Sequence, residues 1–217
     1  MFERKPLRND VAAEILGRII DGRLPAGSRI NESTLATELG ISRTPLREAM
    51  LCLTSDGALA ADMGRGFRVP HLSGREVSEL LEAVAVTAGA AMRGSAEPDL
   101  KSRLEAGNIL SRARIQLDAP ASFCEQFYLL IRYLTGTSPN RILRQESLRL
   151  CRLTLRYLFE GLTRGLDARS LLEGLDTALG QFEQGRPDAA ADAMDRTLRD
   201  LARELAARFP AEVAGRG

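Results

Sequence analysis

Residues 39–45, Leu-Gly-Ile-Ser-Arg-Thr-Pro, admit few backbone paths. Gly40 closes a short apolar run of Leu35, Ala36 and Leu39 at the point where a left-handed residue ends a helix. Ser42 can cap the next helix, and Pro45 then falls in its first turn, where a missing N–H costs little. Two helices therefore meet across a turn of a few residues. Leu46, Ala49, Met50 and Leu53 give the second helix a buried face at three- and four-residue spacing, which leaves Arg43, Thr44 and Arg47 on the solvent side near its start.

The same periodicity runs through Val11, Ile15, Leu16, Ile19 and Ile20 and predicts a first helix from about Leu7 to Asp21, broken by Gly22, Pro25 and Gly27. After Gly57 the chain reads ALAADMGRGFRVPHL, two short extended pieces around MGRG that predict a small hairpin. Helices joined by a tight turn and followed by a hairpin form the plan of a winged helix-turn-helix, whose second helix can enter the major groove of DNA. On that plan Arg43, Thr44 and Arg47 reach base edges and phosphates, because arginine's planar fork fits guanine O6 and N7 or clamps a phosphate. Arg65 and Arg68 flank the Gly66 bend and put two more cations on the hairpin.

From Ser73 onward nearly everything is helical in period, beginning with Ser73 and Glu76 as a capping box. Breaks fall at SAEPD, LDAPA, TGTSPN, RGLDA and QGRPD, and four of these place Pro where a new helix begins. The expected fold is mainly α. A winged helix-turn-helix domain with a small β hairpin spans 1–70, a linker 71–73, an all-α bundle 74–210 and an Ala-rich tail 211–217.

At 217 residues with 44% hydrophobic content, the chain can bury a core in one large or two small domains. It holds no run near the ~18 apolar residues of a membrane helix, and its start, MFERKPLRND, lacks the apolar centre of a signal peptide, so a cytoplasmic location is expected. Cys52, Cys124 and Cys151 are odd in number and widely spaced, which predicts reduced thiols rather than a disulfide framework. The single histidine, His71, makes His-based triads and multi-histidine metal sites hard to build. Net charge is +1, and residues 1–72 hold ten Lys/Arg against nine Asp/Glu, so any nucleic-acid footprint must come from segregation of charge by face.

The stretch LRNDVAAEILGRIIDGRLPAGSRINESTLATELGISRTPLREAMLCLTSDGALAADMGRGFRV resembles the DNA-binding domain of the GntR family of bacterial transcription regulators over nearly its whole length. The resemblance implies recognition-helix contacts from Arg43, Thr44 and Arg47, a phosphate contact from Ser33 and wing contacts from Arg65 and Gly66, with Ser42 and Arg68 completing the DNA-facing set. The helical remainder, with LSGREVSELLEAVAVTAGAAM, FCEQFYLLIRYLTGTSPNRIL and QGRPDAAADAMDRTL, resembles the FadR-like subgroup and its effector-binding FCD domain. Metal-binding members of that subgroup carry an aspartate and, four residues on, a histidine where this chain has Cys124 and Tyr128. Their later histidines fall at Leu175 and Thr197, and a common arginine at Val84. No metal or other cofactor is therefore expected. The expected effector pocket consists of Val84, Cys124, Tyr128, Leu175, Thr197 and Arg152.

Three readings follow. In the first, a homodimer binds a pseudo-palindromic double-stranded DNA operator and responds, as a repressor, to a small organic effector. In the second the helical domain only dimerises. The third, an enzyme, finds no nucleophile with a base and no phosphate loop in the sequence. Arg149, Arg152 and Arg156 share a helical face at i, i+3 and i+7, able to anchor an acidic effector or to form a solvated or dimer-facing stripe. Cys124 and Tyr128, one turn apart, are either core or part of a pocket or thiol sensor.

Overall fold

A computed structural model describes residues 8–62 and 64–211. Leu7, Met63 and the tail beyond Ala211 lie outside the described residues. The chain divides into two compact units with the boundary between Leu72 and Ser73.

In the first unit α1 (Arg8–Ile20), α2 (Glu32–Glu38) and α3 (Arg43–Ser55) precede a two-stranded antiparallel hairpin, β1 (Ala60–Asp62) and β2 (Gly66–Arg68). Val11, Ile15 and Ile19 of α1 and Leu46, Ala49, Met50 and Leu53 of α3 are all buried, together with Leu35, Phe67 and Val69. Residues 27–30 extend the hairpin: Ile30 N–H donates to Phe67 O at 2.9 Å and Val69 N–H to Ser28 O at 2.9 Å, so β2 has a partner on each side. Gly40, at φ +63°, makes the turn between α2 and α3, a conformation that costs other L-residues.

Caps explain where the helices start, and they refine the sequence reading. Asn31 caps α2 by accepting from Ser33 N–H and Thr34 N–H, both at 3.1 Å. Ser42 occupies the cap position of α3 with extended backbone, but its hydroxyl accepts no cap bond. The reason lies three residues on, since Pro45 has removed the N–H that a serine cap ordinarily meets. Of the four prolines at breaks, Pro120 and Pro187 begin helices, whereas Pro98 and Pro139 stand one residue before the caps Asp99 and Asn140.

The second unit is an all-α bundle of α4 (Gly74–Arg93), α5 (Leu100–Ile115), α6 (Pro120–Gly136), α7 (Arg141–Thr163), α8 (Arg169–Glu183) and α9 (Pro187–Ala206). Helix α4 packs against α9, α7 and α6, and α8 against α9. The capping box expected at its start is half formed. Ser73 Oγ accepts from Glu76 N–H at 3.4 Å, but the Glu76 carboxylate turns to α7, accepting from Tyr157 Oη at 2.6 Å and Arg156 Nη2 at 2.7 Å. These donors are stronger partners for a carboxylate than a backbone amide. Ser73 N–H in turn donates to Tyr157 Oη at 3.4 Å.

Candidate nucleic-acid interface

Helix α3 buries Leu46, Ala49, Met50 and Leu53, and the 3.6-residue period leaves Arg43, Thr44 and Arg47 exposed near its N-terminus, beside exposed Ser42. Exposed Ser33, in the first turn of α2, accepts a hydrogen bond from Arg43 Nη2, so α2 and α3 present one polar surface across the turn. Arg47 Nη1 lies 3.6 Å from Glu32 Oε2, and its guanidinium centre is 5.8 Å from the Phe67 ring centroid of the hairpin. Arg65 is exposed in the hairpin turn, between Gly64 at φ +70° and Gly66 at φ +85°. Arg68 differs from the sequence reading: it stands in β2, half-buried, with Nε 3.1 Å from Asp62 Oδ1, so Arg65 is the arginine of the turn itself.

This first unit matches known proteins. Residues 7–69 fit the sequence profile of the bacterial regulatory proteins of the gntR family. The chain is 45% identical over 62 residues to an uncharacterized HTH-type transcriptional regulator, YdhC, of Bacillus subtilis (strain 168), covering 29% of this chain and 28% of that one. It is 35% identical over 72 residues to the gluconate operon transcriptional repressor of Bacillus licheniformis, covering 33% and 29%. The chain thus spans under a third of the length of these two relatives, named a transcriptional regulator and a transcriptional repressor. Among solved structures, E. coli McbR/YncC has the same fold at a TM-score of 0.79 with 19% identity, over 95% of this chain and all of that one.

Charge in the first unit is segregated by face. Arg18 is half-buried and holds Glu14 Oε1 at 2.8 Å and Glu38 Oε2 at 2.5 Å, and these bonds raise its pKa above the ordinary guanidinium value. Arg23 pairs with Asp21 at 2.7 Å, and Arg68 with Asp62. Among the described residues Arg29, Arg43 and Arg65 have no carboxylate partner, so the cations left for an anionic ligand lie with the α3 N-terminus and the hairpin. A nearly neutral domain can in this way still offer a positive surface. Asn31, Glu32 and Arg29 went unread in the sequence. Asn31 carried a usable signal, an Asx residue just before the apolar period of α2.

In the second unit the six expected effector residues differ in exposure. Val84, Cys124 and Leu175 are fully packed in the bundle. Cys124 Sγ donates to Leu155 O at 3.6 Å, and burial, with Cys151 nearby, pushes its thiol well up. Burial likewise pushes Cys151 up to about 12. Both cysteines are thereby kept as thiols, poor nucleophiles at neutral pH. Arg152 is exposed and stacks on Tyr128, Nε donating to Tyr128 Oη at 3.2 Å. Thr197 lines a cleft of about 250 Å³ between α8 and α9 with Ser170, Gly174, Thr177 and Arg196. The arginine stripe also separates: Arg156 is 5% exposed and paired with Glu76, while Arg149 is half-buried beside Glu146. Helical period places three residues on one face, but only Arg156 runs beneath the start of α4.

Proposed function

We propose that this protein is a sequence-specific DNA-binding transcriptional regulator, a repressor that binds a pseudo-palindromic operator as a homodimer, with α3 of each copy in a major groove. The carrying observation is the exposed row of Ser42, Arg43, Thr44 and Arg47 on a helix whose opposite face is core, with cation-bearing Arg65 on the adjacent wing. Ser33, Gly66 and Arg68 complete the proposed contact surface, Arg68 through its backbone and its Asp62-held side chain. Two-fold protein symmetry maps onto two half-sites. Likeness to a named operon repressor supports the repressor reading. Membership of the FadR-like subgroup, with an FCD-like bundle, belongs to the same proposal, as do domain limits near 70 and 74 and a cytoplasmic site of action. Among the described residues no helix is long and apolar enough to cross a membrane.

The test is competition binding on a duplex that the wild-type protein selects from a random pool. Arg47→Ala should weaken specific binding by about 1 to 3 kcal/mol per half-site, as expected for a base-reading arginine. Unchanged affinity and preference would remove Arg47 from recognition.

The bundle is proposed to take a small organic effector through Val84, Cys124, Tyr128, Leu175, Thr197 and Arg152. Complete packing of Val84, Cys124 and Leu175 favours a second reading, in which the bundle only dimerises. Thermal shifts across a metabolite panel separate the two, because a ligand of the folded state raises apparent stability by mass action.

A further inference from the structure

Glu32 is an acid set among the cations of the candidate interface. It is the first residue of α2, oriented by the Asn31 cap, and its side chain is 20% exposed. One carboxylate oxygen, Oε2, lies 3.6 Å from Arg47 Nη1 on α3. The other faces the wing: a Cβ at Gly66 would stand 3.4 Å from Glu32 Oε1. The Phe67 ring, 3% exposed, lies beside the same guanidinium, 5.8 Å from its centre. Arg47 thus has an acid on one side and an aromatic ring on another, both fixed by buried elements.

We infer that Glu32 is a specificity-determining positioning residue, which holds Arg47 for a base edge and weakens its attraction to phosphate. The inference rests on the DNA-binding reading above. A carboxylate so close to the guanidinium offsets part of its charge, so a duplex of any sequence gains less from Arg47 than from an unpaired arginine. The salt bridge uses Nη1 and leaves the Nε and Nη2 edge uncommitted. That edge can meet guanine O6 and N7 together, a bidentate contact that rewards the right base and survives partial neutralisation. Acid and ring also restrict the rotamers of a long side chain, lowering the entropy lost when it docks.

The experiment compares wild type, Glu32→Gln, Arg47→Ala and the double variant on the selected duplex and on random-sequence duplex. Glutamine keeps the shape and removes the charge. Glu32→Gln should raise affinity for random DNA by about two- to fivefold, the scale of one exposed ion pair, and lower the ratio of specific to random affinity. In the Arg47→Ala background the same change should move both affinities together and leave the ratio unaltered. Two results would overturn the inference: a ratio indifferent to Glu32→Gln, or an equal fall in the ratio with and without Arg47, which marks a helix-start role for Glu32. If wild type selects no sequence at all, the DNA-binding reading fails first and takes this one with it, a distinguishable result.

Discussion

At the residue scale, the caps separate what pattern can show from what it cannot. Ser42 was legible as a helix start because Gly40, Ser42 and Pro45 are local signals, but its idle hydroxyl is a consequence of Pro45 removing an amide, visible only when positions are numbered from the cap. Asp99 went unread because Pro98 beside it looked like the start itself. Its carboxylate accepts from Ser102 N–H at 2.8 Å, and hydrogen bonds from Ser102, side chain and backbone, hold it below the ordinary aspartate range. A carboxyl whose folded pKa is depressed contributes stability above its unfolded value and loses it as pH falls through the folded one. Asp99→Asn keeps the acceptor and removes the titration. The advantage of wild type over Asp99→Asn in thermal midpoint should be present at pH 7 and shrink from about pH 5 downward. A constant difference down to pH 2 would show that charge at this cap contributes nothing.

At the scale of elements, periodicity located the helices well because the apolar stripes of α1, α3 and α4 are strong and local. Long-range side-chain choices were not legible. Nothing in the spacing of Ser73 and Glu76 says that a tyrosine 81 positions beyond Glu76 will take its carboxylate. The start of α4 is held from several directions at once: Tyr157 donates to Glu76, Gly74 N–H donates to Pro210 O at 2.8 Å, and Phe209 packs edge-on to Tyr157 at 5.4 Å. Burial, with Glu76 beside it, pushes the Tyr157 hydroxyl above its ordinary range, so it remains a donor at neutral pH. Tyr157→Phe removes that donor and the acceptor for Ser73 N–H, at an expected cost of about 1 to 2 kcal/mol in chemical denaturation, since Glu76 is part-exposed and water can replace one bond. Added amide exchange should concentrate in the first turn of α4. Unchanged stability and exchange would reduce the network to a surface contact.

At the scale of the whole molecule, the winged arrangement and the helical remainder were both readable, since one depends on turn chemistry and the other on a sustained 3.6-residue period. The effector residues were less so, because a pocket is defined by what side chains leave empty, which spacing does not encode. The positions at which metal-binding members of the proposed subgroup hold ligands carry Cys124, Tyr128, Leu175 and Thr197, a set with too few donors for a zinc or nickel site. DNA affinity and any effector response should therefore be indifferent to EDTA, as checked by titration with and without the chelator. A response lost on chelation would mean that the bundle uses other ligands.

The central claim is that α3 reads DNA sequence. Hydroxyl-radical footprinting of the full chain on a duplex it selects from a random pool measures this most directly. Two symmetric protected half-sites are predicted, with the preference at one position per half-site lost in Arg47→Ala. Uniform protection without a preferred sequence, or a preference untouched by changes at Arg43 and Arg47, would contradict it.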